Sequence, residues 1–80
     1  MMIKVIKVIP TEKNRLKLFF SDGKSGICDI SDFIHGPLFK PLSDDSYFNH
    51  VAIDEYGGIF WPNGADICPD VLYRMTFENY

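Results

Sequence analysis

The chain has 80 residues, of which 46% are hydrophobic and 24% charged, and its formal net charge is −3 at pH 7. A chain this short buries a single small core, and this composition is typical of a globular protein, so we predict one domain over residues 1–80. The sequence begins with alternating apolar and basic residues rather than the long apolar run of a signal peptide or membrane span, which predicts a cytoplasmic location.

The first third of the sequence predicts three antiparallel strands. Residues 3–9 alternate apolar and basic side chains at the two-residue period of a strand, which stops at Pro10. After a polar turn, residues 15–20 resume the alternation with leucines on one side and cations on the other, so the two strands form a hairpin. Gly23 suits the tight turn that leads to a third strand over residues 25–30.

The remainder predicts a short helix, a second hairpin and a terminal helix. Residues 32–35 fit a helix that the Gly-Pro pair at 36–37 ends. Residues 50–54 and 59–61 alternate as two strands around a glycine turn, and Pro69 suits the first turn of a helix with an apolar stripe. The order β-β-β-α-β-β-α predicts an α+β fold with two layers, an antiparallel sheet of about five strands and short helices on one face.

The densest motif contains Trp61, Pro62, Asn63, Gly64 and Asp66. Its residue types predict the end of a strand, a sharp turn and the start of a helix, which makes it a structural motif. Asn63, Asp66 and Asp70 are also residue types that bind hard cations, but their spacing matches no calcium loop. A turn residue, a carboxylate bonded to backbone N–H groups and a charge at a helix start account for all three.

Two sets of residues are candidates for binding. Trp61 is expected in the core, but beside Tyr56 and Phe60 it would form a partner-binding surface if it were exposed, because aromatic residues dominate interface energetics. The second set is the basic first hairpin, with the cations Lys4, Lys7, Arg15 and Lys17.

The charge distribution bears on the basic first hairpin. Residues 1–24 carry a net charge of +4 and residues 25–80 a net charge of −7. This asymmetry favours an anionic partner, pairing between the two parts of the chain, or simply solvated strand faces. The acidic total, and the expected absence of an aromatic residue beside these cations, argue against nucleic acid.

The sequence contains no recognisable catalytic pattern. His35 and His50 have no Ser, Cys or Asp at a spacing that suggests a triad. Cys28 and Cys68 show no CxxC spacing, which favours two reduced thiols over a disulfide or a shared metal. We therefore predict a protein that is not an enzyme and has no cofactor and no metal. An enzyme that uses Asp66, His50 and a cation is the alternative.

The chain resembles a family of small bacterial proteins, the domain of unknown function 2442. The segments that carry the resemblance include Phe20-Ser21-Asp22-Gly23, Gly36-Pro37-Leu38-Phe39 and the specific run Trp61-Pro62-Asn63-Gly64-Ala65-Asp66. The resemblance implies an α+β domain without an established activity or catalytic residues. Some members are similar to toxin–antitoxin proteins in being encoded beside another small protein, and others have a helix-turn-helix domain after the motif. Because this sequence ends at Tyr80, we expect partner binding rather than repression.

Two functional hypotheses follow. The first is a non-enzymatic protein-interaction module that uses an exposed sheet face or an open edge strand. Its antitoxin-like form would bind the small protein encoded by a neighbouring gene. An open edge strand would also allow a homo-oligomer by edge-strand pairing. The alternative is nucleic-acid or anion binding through the basic first hairpin, which would be sensitive to salt.

Overall fold

The computed structural model describes residues 3–78, so that residues 1–2 and 79–80 of the predicted domain lie outside the described residues. The first three strands form one antiparallel sheet in the order β1-β2-β3. Their bounds are Val5–Pro10 for β1, Arg15–Phe20 for β2 and Ser25–Asp29 for β3. Gly23 has φ 91° in the β2–β3 turn, the left-handed conformation predicted for this glycine.

A second antiparallel sheet follows in the order β4-β5-β6, formed by Ala52–Ile53, Ile59–Phe60 and Asp66–Ile67. The α+β class is confirmed, but the strands form two small sheets instead of one sheet of about five strands. The chain turns back after β5 and pairs Ile67 with Ile59 before the last helix begins. The N–H of Val5 donates a hydrogen bond of 2.8 Å to the carbonyl of Gly57, which links the two sheets.

A β-bulge interrupts the pairing of β1 with β2. Val5 pairs with Phe20 and Lys7 with Phe19, which leaves Ile6 as an extra residue on β1. Ile6 is consequently 63% exposed, and Ile9 is turned to the outer face of the sheet, whereas Val5 is buried. An uninterrupted two-residue period does not predict this change of face.

Short helical segments connect the two sheets. They are the 3₁₀ turn Ser31–Phe33, helix α1 over Gly36–Phe39, the 3₁₀ turn Lys40–Ser43 and helix α2 over Asp45–Phe48. The Gly-Pro pair at 36–37 therefore begins a helix, where the prediction had it end one. Pro37 lies at the start of α1, where its missing N–H group has no helical partner to lose.

Helix α3 spans Pro69–Phe77 and covers the inner face of the first sheet. Leu72 is buried, and the ring of Tyr73 packs edge-on against Phe20 with 5.0 Å between centroids. The Tyr73 hydroxyl donates a hydrogen bond of 2.7 Å to Asp22, which holds the pKa of that carboxyl below its usual value. The helix is thereby tied to the β2–β3 turn.

The core lies between the two sheets, α3 and the short helices. Among residues 3–78 the buried side chains are all apolar, and Trp61 is the largest that is fully buried. Of the helices in that range, none has the length and apolar character needed to cross a lipid bilayer.

Candidate functional site

Trp61 is fully buried and belongs to the core. Its ring lies beside Phe48, with 6.0 Å between centroids, and its Nε1–H donates a hydrogen bond of 2.9 Å to the Phe48 carbonyl. This bond satisfies the one polar atom of the indole ring. Trp61 therefore does not contribute to an exposed surface, and the candidate partner-binding set must be corrected to Tyr56 and Phe60.

Asn63 connects the β5–β6 turn to the short helices. Its Oδ1 accepts a hydrogen bond of 3.0 Å from the Ala65 N–H, while its Nδ2 donates one of 2.8 Å to the Leu38 carbonyl. Gly64 has φ 94° in this turn, a conformation that side chains rarely adopt. These contacts give Asn63 and Gly64 structural roles, and Pro62 beside them is exposed.

Asp66 lies on β6, where the sequence suggested a carboxylate that bonds backbone N–H groups ahead of the last helix. It pairs across the ladder with Phe60 and is exposed. The residue before α3 is Cys68, which makes no side-chain capping hydrogen bond, while Asp70 lies in the first turn of the helix. Asp66 is therefore available on the outer face of the second sheet.

The outer face of the second sheet carries a groove of about 530 Å³, which we call the acidic groove. Two of its residues are exposed aromatics, Tyr56 at 68% and Phe60 at 37%. The lining residues are Ile53, Asp54, Glu55, Tyr56, Phe60, Gly64 and Asp66. Three carboxylates and no cation thus surround two exposed aromatic rings.

The carboxylates of the acidic groove differ in their bonding. Asp54 Oδ1 accepts hydrogen bonds from the N–H groups of Tyr56 at 2.8 Å and Gly58 at 3.0 Å, which stabilises the β4–β5 turn. Across residues 3–78, the ion pairs found all involve Arg15, which is in the first sheet. Glu55 and Asp66 are therefore free to interact with a cationic group.

The outer face of the first sheet places an aromatic ring between two cations. Lys7 is opposite Phe19, and Lys17 lies two residues before Phe19 on the same strand. Each lysine Nζ lies 5.5 Å from the centroid of the Phe19 ring, within the range of a cation–π interaction. The expectation that no aromatic residue lies beside these cations was wrong. We call these three residues the Lys-Phe-Lys cluster.

Arg15 is occupied by carboxylates. Its guanidinium lies 3.4 Å from Glu12 and 3.6 Å from Asp29. The backbone N–H of Ser31 also donates to Asp29 at 2.8 Å, and this bond, with the help of Arg15, lowers the pKa of the Asp29 carboxyl. Arg15 thus pairs within the chain, as one interpretation of the charge asymmetry predicts.

Lys4 lies before the bulge of β1, apart from the Lys-Phe-Lys cluster. A Cβ atom added to Gly57 would lie only 2.6 Å from Lys4 Cγ and 2.9 Å from Lys4 Cα, so the lysine stem packs directly on the Gly57 backbone. Of the four cations proposed as an anion-binding set, the structure therefore groups Lys7 and Lys17.

The family comparison covers both of these surfaces. A family model described as a protein of unknown function, DUF2442, matches residues 5–78. The chain belongs to the DUF2442 family. Both sheets and α3 of this DUF2442 protein lie inside the matched range, including the acidic groove and the Lys-Phe-Lys cluster. No curated protein and no solved structure matches the chain.

The histidines and cysteines of the DUF2442 chain lie in separate places. His50 Nδ1 is 2.8 Å from the Ser46 carbonyl, and its side chain is not part of the groove that Asp66 lines. Cys28 is buried, which raises the pKa of its thiol, while Cys68 is exposed. Within residues 3–78, no three side chains of His, Cys, Asp or Glu lie together as a metal site.

Proposed function

We propose that this protein is a non-enzymatic interaction module that binds a small basic protein through the acidic groove. The observation that supports this proposal is the exposure of Tyr56 and Phe60 on a surface that otherwise presents carboxylates. Aromatic rings bury large areas when a partner covers them, and tyrosine is among the residue types that most often dominate binding energy at protein interfaces. An antitoxin-like role, with the partner encoded by a neighbouring gene, is the biological form that the family resemblance suggests.

The charge of the groove defines the chemistry of this partner. Glu55 and Asp66 are exposed, and neither is paired with a cation among residues 3–78. Lys or Arg side chains on the partner would pair with these carboxylates, which sets orientation and association rate more than affinity. The partner therefore combines basic residues with an apolar or aromatic side chain that covers Phe60.

We expect a double substitution of Tyr56→Ser and Phe60→Ser to weaken partner binding at least tenfold, about 1.4 kcal/mol, because the aromatic anchors are removed. The partner is first isolated by affinity capture of the tagged protein from its native host, with nuclease treatment, and is identified by mass spectrometry. Isothermal titration of the purified partner then compares the wild type with the double variant.

The matched control is Ile6→Ser with Ile9→Ser on the first sheet. These isoleucines are 63% and 37% exposed, close to the 68% and 37% of Tyr56 and Phe60, so both double variants change apolar side chains of similar fractional exposure. The control should bind the partner with wild-type affinity, and circular dichroism should show that both variants are folded. Equal affinity of the groove variant and the wild type would contradict the proposed binding surface.

The Lys-Phe-Lys cluster supports a second candidate function, the binding of single-stranded nucleic acid or another polyanion. An aromatic ring flanked by cations is the arrangement on which bases stack while phosphates are neutralised. Phe19 between Lys7 and Lys17 provides this arrangement at its smallest scale. The net charge of −3 of the whole chain opposes such binding, so we place this function second.

A labelled oligothymidylate and fluorescence anisotropy test the second function. If both lysines contact phosphates, the slope of log affinity against log salt concentration should be about −1.4, because each contact with a single strand contributes about −0.7. Lys7→Ser with Lys17→Ser should abolish binding. Lys13→Ser with Lys40→Ser changes the net charge equally at other exposed sites and should retain binding. Affinity that is independent of salt would contradict this function.

A further inference from the structure

The two edges of the first sheet differ in how they are protected. β1 carries three features that discourage strand pairing: the bulge at Ile6, the charge of Lys7 and the missing N–H of Pro10. In addition, the N–H of Val5 already donates to the Gly57 carbonyl at 2.8 Å. The β1 edge is therefore closed to a further strand.

The outer edge of β3 has no bulge and no proline, and its one charged residue, Asp29, is paired with Arg15 of β2. The Phe20 N–H donates to the Lys24 carbonyl and the Ile30 N–H donates to the Asn14 carbonyl, both at 2.8 Å. Since backbone groups alternate in direction along a strand, the even-numbered residues from 24 to 30 turn their N–H and C=O groups towards β2. The N–H and C=O groups of Ser25, Ile27 and Asp29 consequently point outward, and no backbone group of residues 3–78 bonds to them. β3 contains no proline and no lysine, and Ile27 on it is 49% exposed.

Helix α3 adds an apolar surface beside this edge. The helix packs along β3 with the Tyr73 ring against Phe20 of β2, and Val71 and Met75 lie on the flank of the helix opposite Tyr73. Together with Asp32 and Phe33 of the 3₁₀ turn that follows β3, these two side chains line a groove of about 300 Å³. A strand added to β3 would therefore gain backbone hydrogen bonds from the edge and apolar contacts from the helix.

We propose that β3 pairs antiparallel with β3 of a second copy of this chain, in a register centred on Ile27. The two Ile27 side chains then lie opposite each other, and Ser25 of each copy lies opposite Asp29 of the other. No like charges face each other in this register, so the edge is complementary to itself under two-fold symmetry. Pairing joins the two β1-β2-β3 sheets into one sheet of six strands and brings the two Val71–Met75 flanks together.

This interface is separate from the proposed function. It uses β3 and α3, whereas the acidic groove lies on the second sheet and the turns around it. A dimer of this kind would carry two acidic grooves. Failure of dimerisation would therefore leave partner binding at the groove untouched, and failure of partner binding would leave the dimer untouched.

Analytical ultracentrifugation over a concentration series should give the wild type a mass of twice 9.2 kDa. Ile27→Lys should weaken dimerisation by about tenfold or more, because it places two like charges opposite each other at the centre of the interface. The matched control is Ile9→Lys, an identical change on the outer face of the same sheet but on the protected strand, and it should dimerise like the wild type. A wild type that stays monomeric over the whole concentration series overturns the proposal.

Disulfide formation tests the register. Opposed residues of an antiparallel pair have Cα atoms about 5.5 Å apart or less, which a disulfide can span. In a Cys68→Ser background, Ile27→Cys should therefore give a covalent dimer under mild oxidation. Ser25→Cys should not, since the two copies of residue 25 would be offset by about 13 Å along the strands. Equal cross-linking of the two variants would overturn the register.

Discussion

Replacing Trp61 by alanine should lower the free energy of unfolding by about 3–5 kcal/mol, the usual cost of removing a large buried aromatic side chain. Trp61 is fully buried against Phe48, and its Nε1–H satisfies the Phe48 carbonyl at 2.9 Å. Alanine leaves a cavity and also removes that donor. A domain of 80 residues is stable by about 4–12 kcal/mol, so this single change removes a large part of the total.

Denaturation in urea, followed by circular dichroism, measures the effect of Trp61→Ala. Phe60→Ala is the matched control, since Phe60 precedes Trp61 on the chain and points to the outer face, where it is 37% exposed. We expect the control to cost clearly less, because more than a third of the Phe60 side chain is already exposed and its removal leaves no closed cavity. Equal costs for the two variants would contradict the assignment of Trp61 to the core.

Replacing Gly57 by alanine should destabilise the protein by about 2–5 kcal/mol, from two additive causes. Its φ of 85° lies in the left-handed region, which costs a residue with a side chain about 1–2 kcal/mol. The new methyl group would also lie 2.6 Å from Lys4 Cγ and 2.9 Å from Lys4 Cα, and such overpacking costs about 1–3 kcal/mol. The chain must shift where Val5 donates its hydrogen bond to Gly57.

Gly23→Ala separates these two causes. Gly23 has a similar φ of 91°, but an added Cβ atom there has no neighbour within 4 Å, so only the conformational cost of about 1–2 kcal/mol applies. Urea denaturation gives both stabilities, and amide hydrogen exchange at Val5 should accelerate in Gly57→Ala alone. If the two glycine variants are equally stable, Lys4 does not pack on Gly57 as described.

Much of the fold can be predicted from local patterns. The alternation in residues 15–20 predicts β2 with its correct bounds, because one side of that strand faces the core throughout. Pro69 predicts the start of α3 for a similar reason, since proline suits the first turn of a helix. The same alternation places Phe19 beside Lys17, whereas the position of Lys7 opposite Phe19 depends on the register between β1 and β2.

Other features depend on contacts between distant residues. The bulge at Ile6 allows β1 to pair with β2 while Val5 also bonds to Gly57 of the second sheet. No local pattern encodes that second partner. The acidic groove likewise requires β6 to place Asp66 opposite Phe60, and a strand of two residues is too short to produce a recognisable alternation.

The order of strands along the chain has a consequence for synthesis on the ribosome. The β1-β2-β3 sheet needs only short loops to close, since its three strands follow one another directly. Its covering helix follows all of the other described strands and helices along the chain, and the Tyr73 side chain bonds to Asp22, 51 positions earlier. A nascent chain can therefore complete this sheet while the inner surface formed by Leu18 and Cys28 is still uncovered. This interval is when the growing polypeptide is most exposed to aggregation and to chaperones.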